Sequence, residues 1–358
     1  MVFFMKIVLE ISKECNTRMK VLINLVFGTI PERRVKELAH LLALSTIFKR
    51  ANICFRIFAV VMPIGGFRAY AYYILALPMV VKRILRVKSK QYILNILIVN
   101  DVIPYIYALT FSLLGRIFHM QTFIVNSIWY YPSKSKYRFS KPLFLLASRL
   151  SRGVLAPSVK ALVFCKSWVK RVFYWPIYVR VPCALKRLEA NHDVLNYVRD
   201  LIAKLKRKHD SVIFLYLGRL LPVKGIEWLL KSFDKLVRIC PNAYLIIVGD
   251  GVLRDVVIRH AKCNPNIIFL GWLDSPLKDY VIALSDVGLY TSIIYKDKYF
   301  EEYGIVPLEY AMYTKPIIVS SYVGSAHDIV KNGVNGFIVE PNNIEALVNA
   351  MYMYCRNR

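Results

Sequence analysis

From residue 212 onward the chain alternates between short runs that are apolar at nearly every position and stretches with helical periodicity. The runs are "VIFLYLG" (212–218), "AYLIIVG" (243–249), "NIIFLG" (266–271), "VGLYTS" (287–292), "PIIVSS" (316–321) and "GFIVE" (336–340). Helix-like stretches separate them at Ile226–Cys240, Leu253–Lys262, Lys278–Ser285, from about Gly304, and at Ala326–Lys331. A strand with one wet face alternates apolar and polar residues, whereas a strand apolar throughout is buried on both faces. Such strands, each followed by a helix, predict a parallel sheet covered on both sides, the doubly wound Rossmann-like arrangement.

The first half repeats the pattern less cleanly. "KVLINLVFG" (20–28) leads through Pro31 into a predicted helix over Glu32–Leu44, and "NICFRIFAVV" (52–61), "YILNILIVN" (92–100), "QTFIVNS" (121–127) and "GVLAPS" (153–158) read as further strands. A chain of 358 residues exceeds the usual size of one core. The expectation is therefore an α/β protein of two Rossmann-like doubly wound domains facing across a crevice, where the carboxyl ends of the strands hold ligands. Residues 1–18 read as an extension, 19–182 as the first domain, 183–210 as a linker region, 211–341 as the second domain and 342–358 as a C-terminal helix.

Several classes are disfavoured. With 56% hydrophobic residues a sizeable core is available, which argues against disorder. The seven cysteines are scattered and form no C-x-x-C pair, which disfavours a disulfide framework or a zinc site and fits a reducing, cytoplasmic setting. Residues 91–115, "QYILNILIVNDVIPYIYALTFSLLG", come nearest to a membrane span, but Asn95, Asn100, Asp101 and Pro104 break the run into strand, loop and helix. No metal site and no resident cofactor is expected.

Charge is uneven. Residues 1–210 carry 35 Lys+Arg and 9 Asp+Glu, while residues 211–358 carry 15 and 14. Between Glu37 and Glu189 the only acid is Asp101. The basic half is either a generally basic surface or the face of an anionic partner.

Two stretches carry chemistry. "EEYGIVPLEYAMYTKPIIVS" (301–320) places Glu301, Glu302 and Glu309 around Gly304. Gly304 permits a tight turn into a helix, whose amino end suits a phosphate. One carboxylate deep and one at the lip could hold a sugar nucleotide by its hydroxyls; the alternative is that the paired glutamates only complement the helix dipole. "YLGRLLPVKG" (216–225) puts Arg219 and Lys224 on the loop after the first strand of the domain. An arginine fork and a lysine point charge make a diphosphate clamp, and a departing diphosphate gains charge as its bond breaks. A solvated loop with two surface cations is the alternative.

The ordered set "GRLLPVKG", "AYLIIVGDG", "NIIFLGWL", "EEYGIVPLE", "KPIIVSS" and "NGVNGFIVEP" resembles the retaining glycosyltransferases of the GT-B fold, in family four. The resemblance is close over 212–341 and weaker over 19–182. It implies that Arg219 and Lys224 bind the donor diphosphate, that Glu309 holds the nucleotide ribose, and that Glu301 contacts the transferred sugar. Glu301, Arg219 and Lys224 are then the catalytic set. Gly304 and the backbone at Ile305 and Val306 would touch the phosphates, and Glu302 falls out of register. The family works without a metal. Two positions depart from it: Thr314 stands where a glycine is usual, and Asn126 where a histidine often faces the acceptor. Asn cannot act as a general base, so the donor phosphate itself would take the acceptor proton. His119 is a second candidate on the acceptor side.

The expected function is retaining transfer of a sugar from a nucleotide-diphosphate sugar to a hydroxyl of a lipid or lipid-linked saccharide. The alternatives are a nucleic-acid-modifying glucosyltransferase and a non-catalytic nucleotide-sugar or nucleic-acid binding protein. Residues 133–152 carry Lys134, Lys136, Arg138, Lys141, Arg149 and Arg152 among Tyr137, Phe139, Leu143, Phe144 and Leu145, and 158–175 repeat the mixture around Phe164, Trp168 and Phe173. Cations beside aromatics and leucines suit an anionic headgroup layer, so the first domain is expected to sit on the cytoplasmic face of a membrane. The same apolar residues could instead be ordinary core.

Overall fold

The computed structural model describes residues 8–12, 20–29, 54–62, 94–99, 104–117, 119, 121–130, 137–177, 192–207, 210–297 and 299–356, with side chains from residue 108 onward except 137–140 and 192–195. The chain divides into two units, Met1–Arg180 and Val181–Arg358.

The first unit contains β1 (Val8–Ser12), β2 (Lys20–Thr29), β3 (Cys54–Met62), β4 (Leu94–Val99), α1 (Pro104–Ile117), β5 (Gln121–Asn126), α2 (Tyr137–Leu150), β6 (Gly153–Ala156), α3 (Val159–Lys166) and β7 (Val172–Tyr174). Its strands lie in the order β1-β3-β2-β4-β5-β6-β7, parallel throughout except for β1 against β3. The five strands expected from sequence begin within two residues of these bounds. Two were missed. "VLEIS" lies in the stretch read as an extension, and it adds an antiparallel edge strand; "VFY" adds the opposite edge. Short edge strands carry little periodicity, so neither stood out. The predicted helix over Glu32–Leu44 lies outside the described residues. Within residues 91–115, Leu94–Val99 form a strand and a helix begins at Pro104, the first helical position, where its fixed φ and missing N–H cost nothing. Among the described residues no helix is long and apolar enough to cross a membrane.

The second unit runs α4 (His192–Lys206), β8 (Val212–Leu217), a 3₁₀ turn (Pro222–Lys224), α5 (Ile226–Ile239), β9 (Ala243–Val248), α6 (Arg254–Cys263), β10 (Ile267–Gly271), α7 (Leu277–Leu284), β11 (Val287–Tyr290), α8 (Val306–Met312), β12 (Ile317–Ser320), α9 (Ala326–Ile329), β13 (Gly336–Val339) and α10 (Ile344–Arg356). Its six strands are all parallel, in the order β10-β9-β8-β11-β12-β13. Every residue of β8, β9, β11 and β12 is buried, as the unbroken apolar runs require. Alternate residues feed two cores. Val212, Phe214 and Tyr216 pack toward α5 and α10, whereas Ile213, Leu215 and Leu217 pack with residues of α4, α7 and α8. Val198, Ile202 and Leu205 of α4 are buried in that second core, so α4, which falls in the expected linker region, packs as part of the second unit.

Strand order decides where a site can form. The chain runs outward from β8 to β9 and β10, then returns past β8 to β11, β12 and β13. The carboxyl ends of β8 and β11 therefore mark the switch point, where open α/β sheets hold their ligands. Both sequence motifs with candidate chemistry leave these two strands.

Candidate active site

Lys224 ends the 3₁₀ turn that follows β8, and its side chain is buried. The turn is fixed from several directions. Gly225 has φ +66°, and a Cβ there would lie 2.0 Å from the Thr291 carbonyl oxygen. Thr291 Oγ1 donates to the Lys224 carbonyl at 3.0 Å, and Ile293 N donates to Val223 O at 2.8 Å. The loops after β8 and β11 are thus held together at the switch point.

Lys224 Nζ donates to the Tyr290 hydroxyl at 2.7 Å and forms an ion pair with Glu301 Oε2. Tyr290, the last residue of β11, donates to the same Oε2 at 3.1 Å, and Ser292 Oγ adds a third donor at 3.4 Å. The backbone of Glu301 is also fixed. It bridges to Val323, and Gly324 N donates to its carbonyl at 3.3 Å. Burial first, and the Glu301 charge second, holds the Tyr290 phenol well above its ordinary range, so it remains a neutral hydroxyl donor. Of this cluster the sequence indicated Lys224 and Glu301. Tyr290 and Ser292 were missed, although a Tyr-Thr-Ser ending to an otherwise apolar strand was a visible signal.

The other site residues occupy the same end of the sheet. Arg219 lies on the β8 loop, exposed, with its carbonyl accepting from the Tyr216 hydroxyl at 3.2 Å. Gly304 has φ +85°, and a Cβ there would lie 2.8 Å from Val323 Cγ1 and 2.9 Å from Tyr290 Cε1, so the turn tolerates only glycine. Helix α8 starts at Val306 rather than at Gly304, because Ile305 is its N-cap and Pro307 sits in its first turn. Glu309 is consequently in the first turn of α8. Its Oε1 accepts from Lys278 Nζ of α7 at 2.8 Å, a contact not foreseen. Glu302 is half-buried.

In the first unit the two acceptor-side candidates are not brought together. Asn126 ends β5, is fully buried, and donates through Nδ2 to Cys165 Sγ at 3.2 Å. Burial pushes that thiol up to about 11. His119 lies in a left-handed turn (φ +55°) just before β5, at the opposite end of the strand. Five strand residues lie between the two, roughly 17 Å along the strand.

The basic surface separates into two parts. Lys134 and Lys136 lie outside the described residues, as does the side chain of Arg138. Arg149 is exposed, and Arg152 is exposed with its Nε donating to Gln121 Oε1. On α2, Phe144 is 1% exposed and belongs to the core, and Leu143 and Leu145 are half-buried. Along the stretch from α3 to β7 the opposite holds. Val163 is 64% exposed, Trp168 44% and Phe173 49%, beside exposed Lys166, Lys170 and Arg171. Lys141 Nζ sits 3.0 Å from the Trp168 ring centroid and links α2 to this segment.

Residues 198–357 match the sequence model of the family described as glycosyl transferases group 1. An uncharacterized glycosyltransferase of Methanocaldococcus jannaschii is 32% identical over 146 residues, 38% of this chain and 34% of that protein. The UDP-Gal:alpha-D-GlcNAc-diphosphoundecaprenol alpha-1,3-galactosyltransferase of Escherichia coli is 29% identical over 151 residues, 40% of this chain and 36% of that protein. The chain thus spans about a third of the length of these curated relatives. Likeness to solved structures extends over both units. Anabaena HepE in complex with UDP matches with TM-score 0.63 at 18% identity, covering 94% of this chain and 89% of that one. An E. coli trehalose-6-phosphate structure bound with UDP-2-fluoro glucose matches with TM-score 0.68 at 13% identity, covering 94% and 92%. With two Rossmann-like parallel sheets, the fold is that of the GT-B glycosyltransferases, as the motifs imply.

Proposed function

We propose that the protein is a retaining glycosyltransferase that moves a sugar from a nucleoside-diphosphate sugar to a hydroxyl of a lipid or lipid-linked saccharide. The observation that carries this reading is the convergence of Lys224, Tyr290 and Ser292 on Glu301 at the switch point of the second sheet. Arg219 and Lys224 meet the diphosphate, Glu309 takes the ribose hydroxyls and Glu301 takes the sugar. Gly304, Ile305 and Val306 bring the backbone to the phosphates.

In the reaction the bond from the anomeric carbon to the diphosphate oxygen breaks. The acceptor oxygen bonds that carbon from the same face, and its proton passes to the departing phosphate oxygen. Charge grows on the diphosphate as the bond lengthens, so side-chain cations placed there favour the transition state over the ground state, without a metal. UDP in the similar solved structures and a diphosphoundecaprenol-linked acceptor in one relative's name support the substrate classes. The α3–β7 surface supports docking on an anionic membrane from the cytoplasmic side.

The test is incubation with a panel of nucleotide sugars and lipid-linked acceptors, reading nucleoside diphosphate release and the anomeric configuration of the product by NMR. Retention in a glycosylated lipid is the expected result. Inversion would remove the mechanism, and no release from any donor would remove the enzyme reading.

A further inference from the structure

Lys224 is assigned above to a diphosphate, yet its ammonium is already paired with Glu301. Both groups sit in a restricted space, with side chains 9% and 19% exposed. The lysine backbone cannot shift to serve two partners, because Gly225 abuts the Thr291 carbonyl and Thr291 Oγ1 grips the Lys224 carbonyl. Only the end of the side chain is able to swing. A carboxylate brings one negative charge and a nucleoside diphosphate two or more, so the diphosphate competes for the ammonium on better Coulombic terms.

We propose that the donor site works by exchange: the diphosphate takes Lys224 from Glu301, and Tyr290 acts as a positioning residue that keeps Glu301 seated for the sugar. The inference rests on the donor reading given above. Tyr290 suits the task for three reasons. Its hydroxyl touches both partners, accepting from Lys224 at 2.7 Å and donating to Glu301 Oε2 at 3.1 Å. Its ring is 3% exposed and closes against Gly304, where a Cβ would stand 2.9 Å from Cε1, so the hydroxyl has a fixed address. Its backbone is in register with Val319 inside the sheet. After Lys224 turns away, the carboxylate has lost its cation but keeps two neutral donors, Tyr290 and Ser292. These hold its orientation while the other oxygen meets the sugar. A phenylalanine at 290 would fill the same volume and lose both hydrogen bonds.

Two consequences separate this arrangement from simple packing. Removing the Glu301 charge ends the competition for Lys224, so Glu301→Gln tightens diphosphate binding several-fold even though it slows transfer. Removing the Tyr290 hydroxyl leaves the cation clamp in place, so Tyr290→Phe lowers kcat about tenfold or more, on the scale of a lost oriented donor, with KM for the donor changed less than about threefold.

The experiment measures calorimetric affinity for UDP, ADP and GDP in wild type, Tyr290→Phe and Glu301→Gln, beside kcat and KM for the matching nucleotide sugar. Tighter binding in Glu301→Gln and a kcat-only loss in Tyr290→Phe support the exchange. Equal or weaker binding in Glu301→Gln overturns it, even where turnover is too slow to follow. Wild-type kcat in Tyr290→Phe, or a loss carried wholly by KM, removes the positioning role while the donor reading stands. If wild type binds none of the three nucleotides or inorganic pyrophosphate, the donor reading falls and the exchange falls with it.

Discussion

Lys278 on α7 reaches across to Glu309 on α8, Nζ to Oε1 at 2.8 Å, with the two side chains 25% and 20% exposed. The ammonium both neutralises the carboxylate and fixes its direction. If Glu309 receives the ribose, Lys278 sets how ready it is to do so. Lys278→Met is expected to raise KM for the nucleotide sugar roughly threefold to tenfold with kcat near wild type, the pattern of lost uniform binding. Glu309→Gln is expected to weaken nucleoside diphosphate binding in the same titration. A Lys278→Met enzyme with unchanged KM would show that the pair is structural only.

The clamp gives a sharper expectation. Arg219→Ala and Lys224→Ala should each lower kcat/KM by about a hundredfold or more, as loss of one oriented electrostatic donor does. Glu302→Gln, outside the register of the motif, should stay near wild type. Sensitivity at Glu302 in place of Glu301 would mean the motif is aligned one residue off.

Tyr310 of α8 lies fully buried with its hydroxyl between two strands. It accepts from Leu217 N at 3.0 Å and donates to Leu215 O at 2.9 Å. Tyr310→Phe leaves a buried N–H unpaired and is expected to cost about 1–3 kcal/mol in urea unfolding. Burial also raises Tyr310, Tyr290 and Tyr216 above the ordinary phenol value of 10.0. The folded state therefore holds these protons more tightly than the unfolded chain. Their contribution is fully present below pH 10 and falls as pH rises, by up to about 1.4 kcal/mol per pH unit for each phenol. Urea midpoints from pH 8 to 11.5 check this. The decline should be shallower by one proton in Tyr310→Phe, and an equal slope in both proteins would contradict the assignment.

Thr314 marks where sequence and structure meet most directly. The motif has glycine there in the family the chain resembles, and the structure gives the reason: the residue ends α8 in the left-handed region, φ +55°, with its N–H donating to Ala311 O. A β-branched residue is strained in that conformation. Thr314→Gly should stabilise the protein by about 1 kcal/mol, and Thr314→Ala should gain much less because φ stays positive. Urea titration of the three proteins decides it, and a destabilised Thr314→Gly would locate the strain elsewhere.

The second sheet was legible because its strands are buried on both faces and so leave unbroken apolar runs. Lys224, Glu301, Gly304 and Glu309 could be singled out as candidates because their motifs adjoin those runs. What escaped depends on distance in space rather than along the chain. Tyr290 and Lys224 are 66 residues apart and Lys278 and Glu309 are 31 apart, so no local pattern pairs them. Asn126 and His119 show the converse. They are close in sequence, but a strand carries them to opposite ends of the sheet. Charge alone also could not tell which aromatics near the cations are core. Phe144 and Trp168 have similar neighbours in sequence, and burial separates them.

That separation moves the expected membrane contact from α2 to the stretch from α3 to β7. Val163, Trp168 and Phe173 are exposed there, with Lys166, Lys170 and Arg171 beside them. From residue 102 to 188 the sequence contains no acid to oppose an anionic surface. Each cation near such a surface contributes about 1 kcal/mol, so a Lys170→Glu, Arg171→Glu protein should lose more than tenfold in vesicle affinity. Trp168→Ser with Val163→Ser removes the apolar part and keeps the charge. Nucleic acid would be indifferent to those two residues, whereas a bilayer would not. Flotation with phosphatidylglycerol and phosphatidylcholine vesicles at 50 and 500 mM salt reads both contributions. Binding to the anionic vesicles that weakens with salt and with either double substitution is the expected pattern. No flotation, beside tight binding to duplex DNA unaffected by Trp168→Ser with Val163→Ser, would reject the lipid surface and favour a nucleic-acid acceptor.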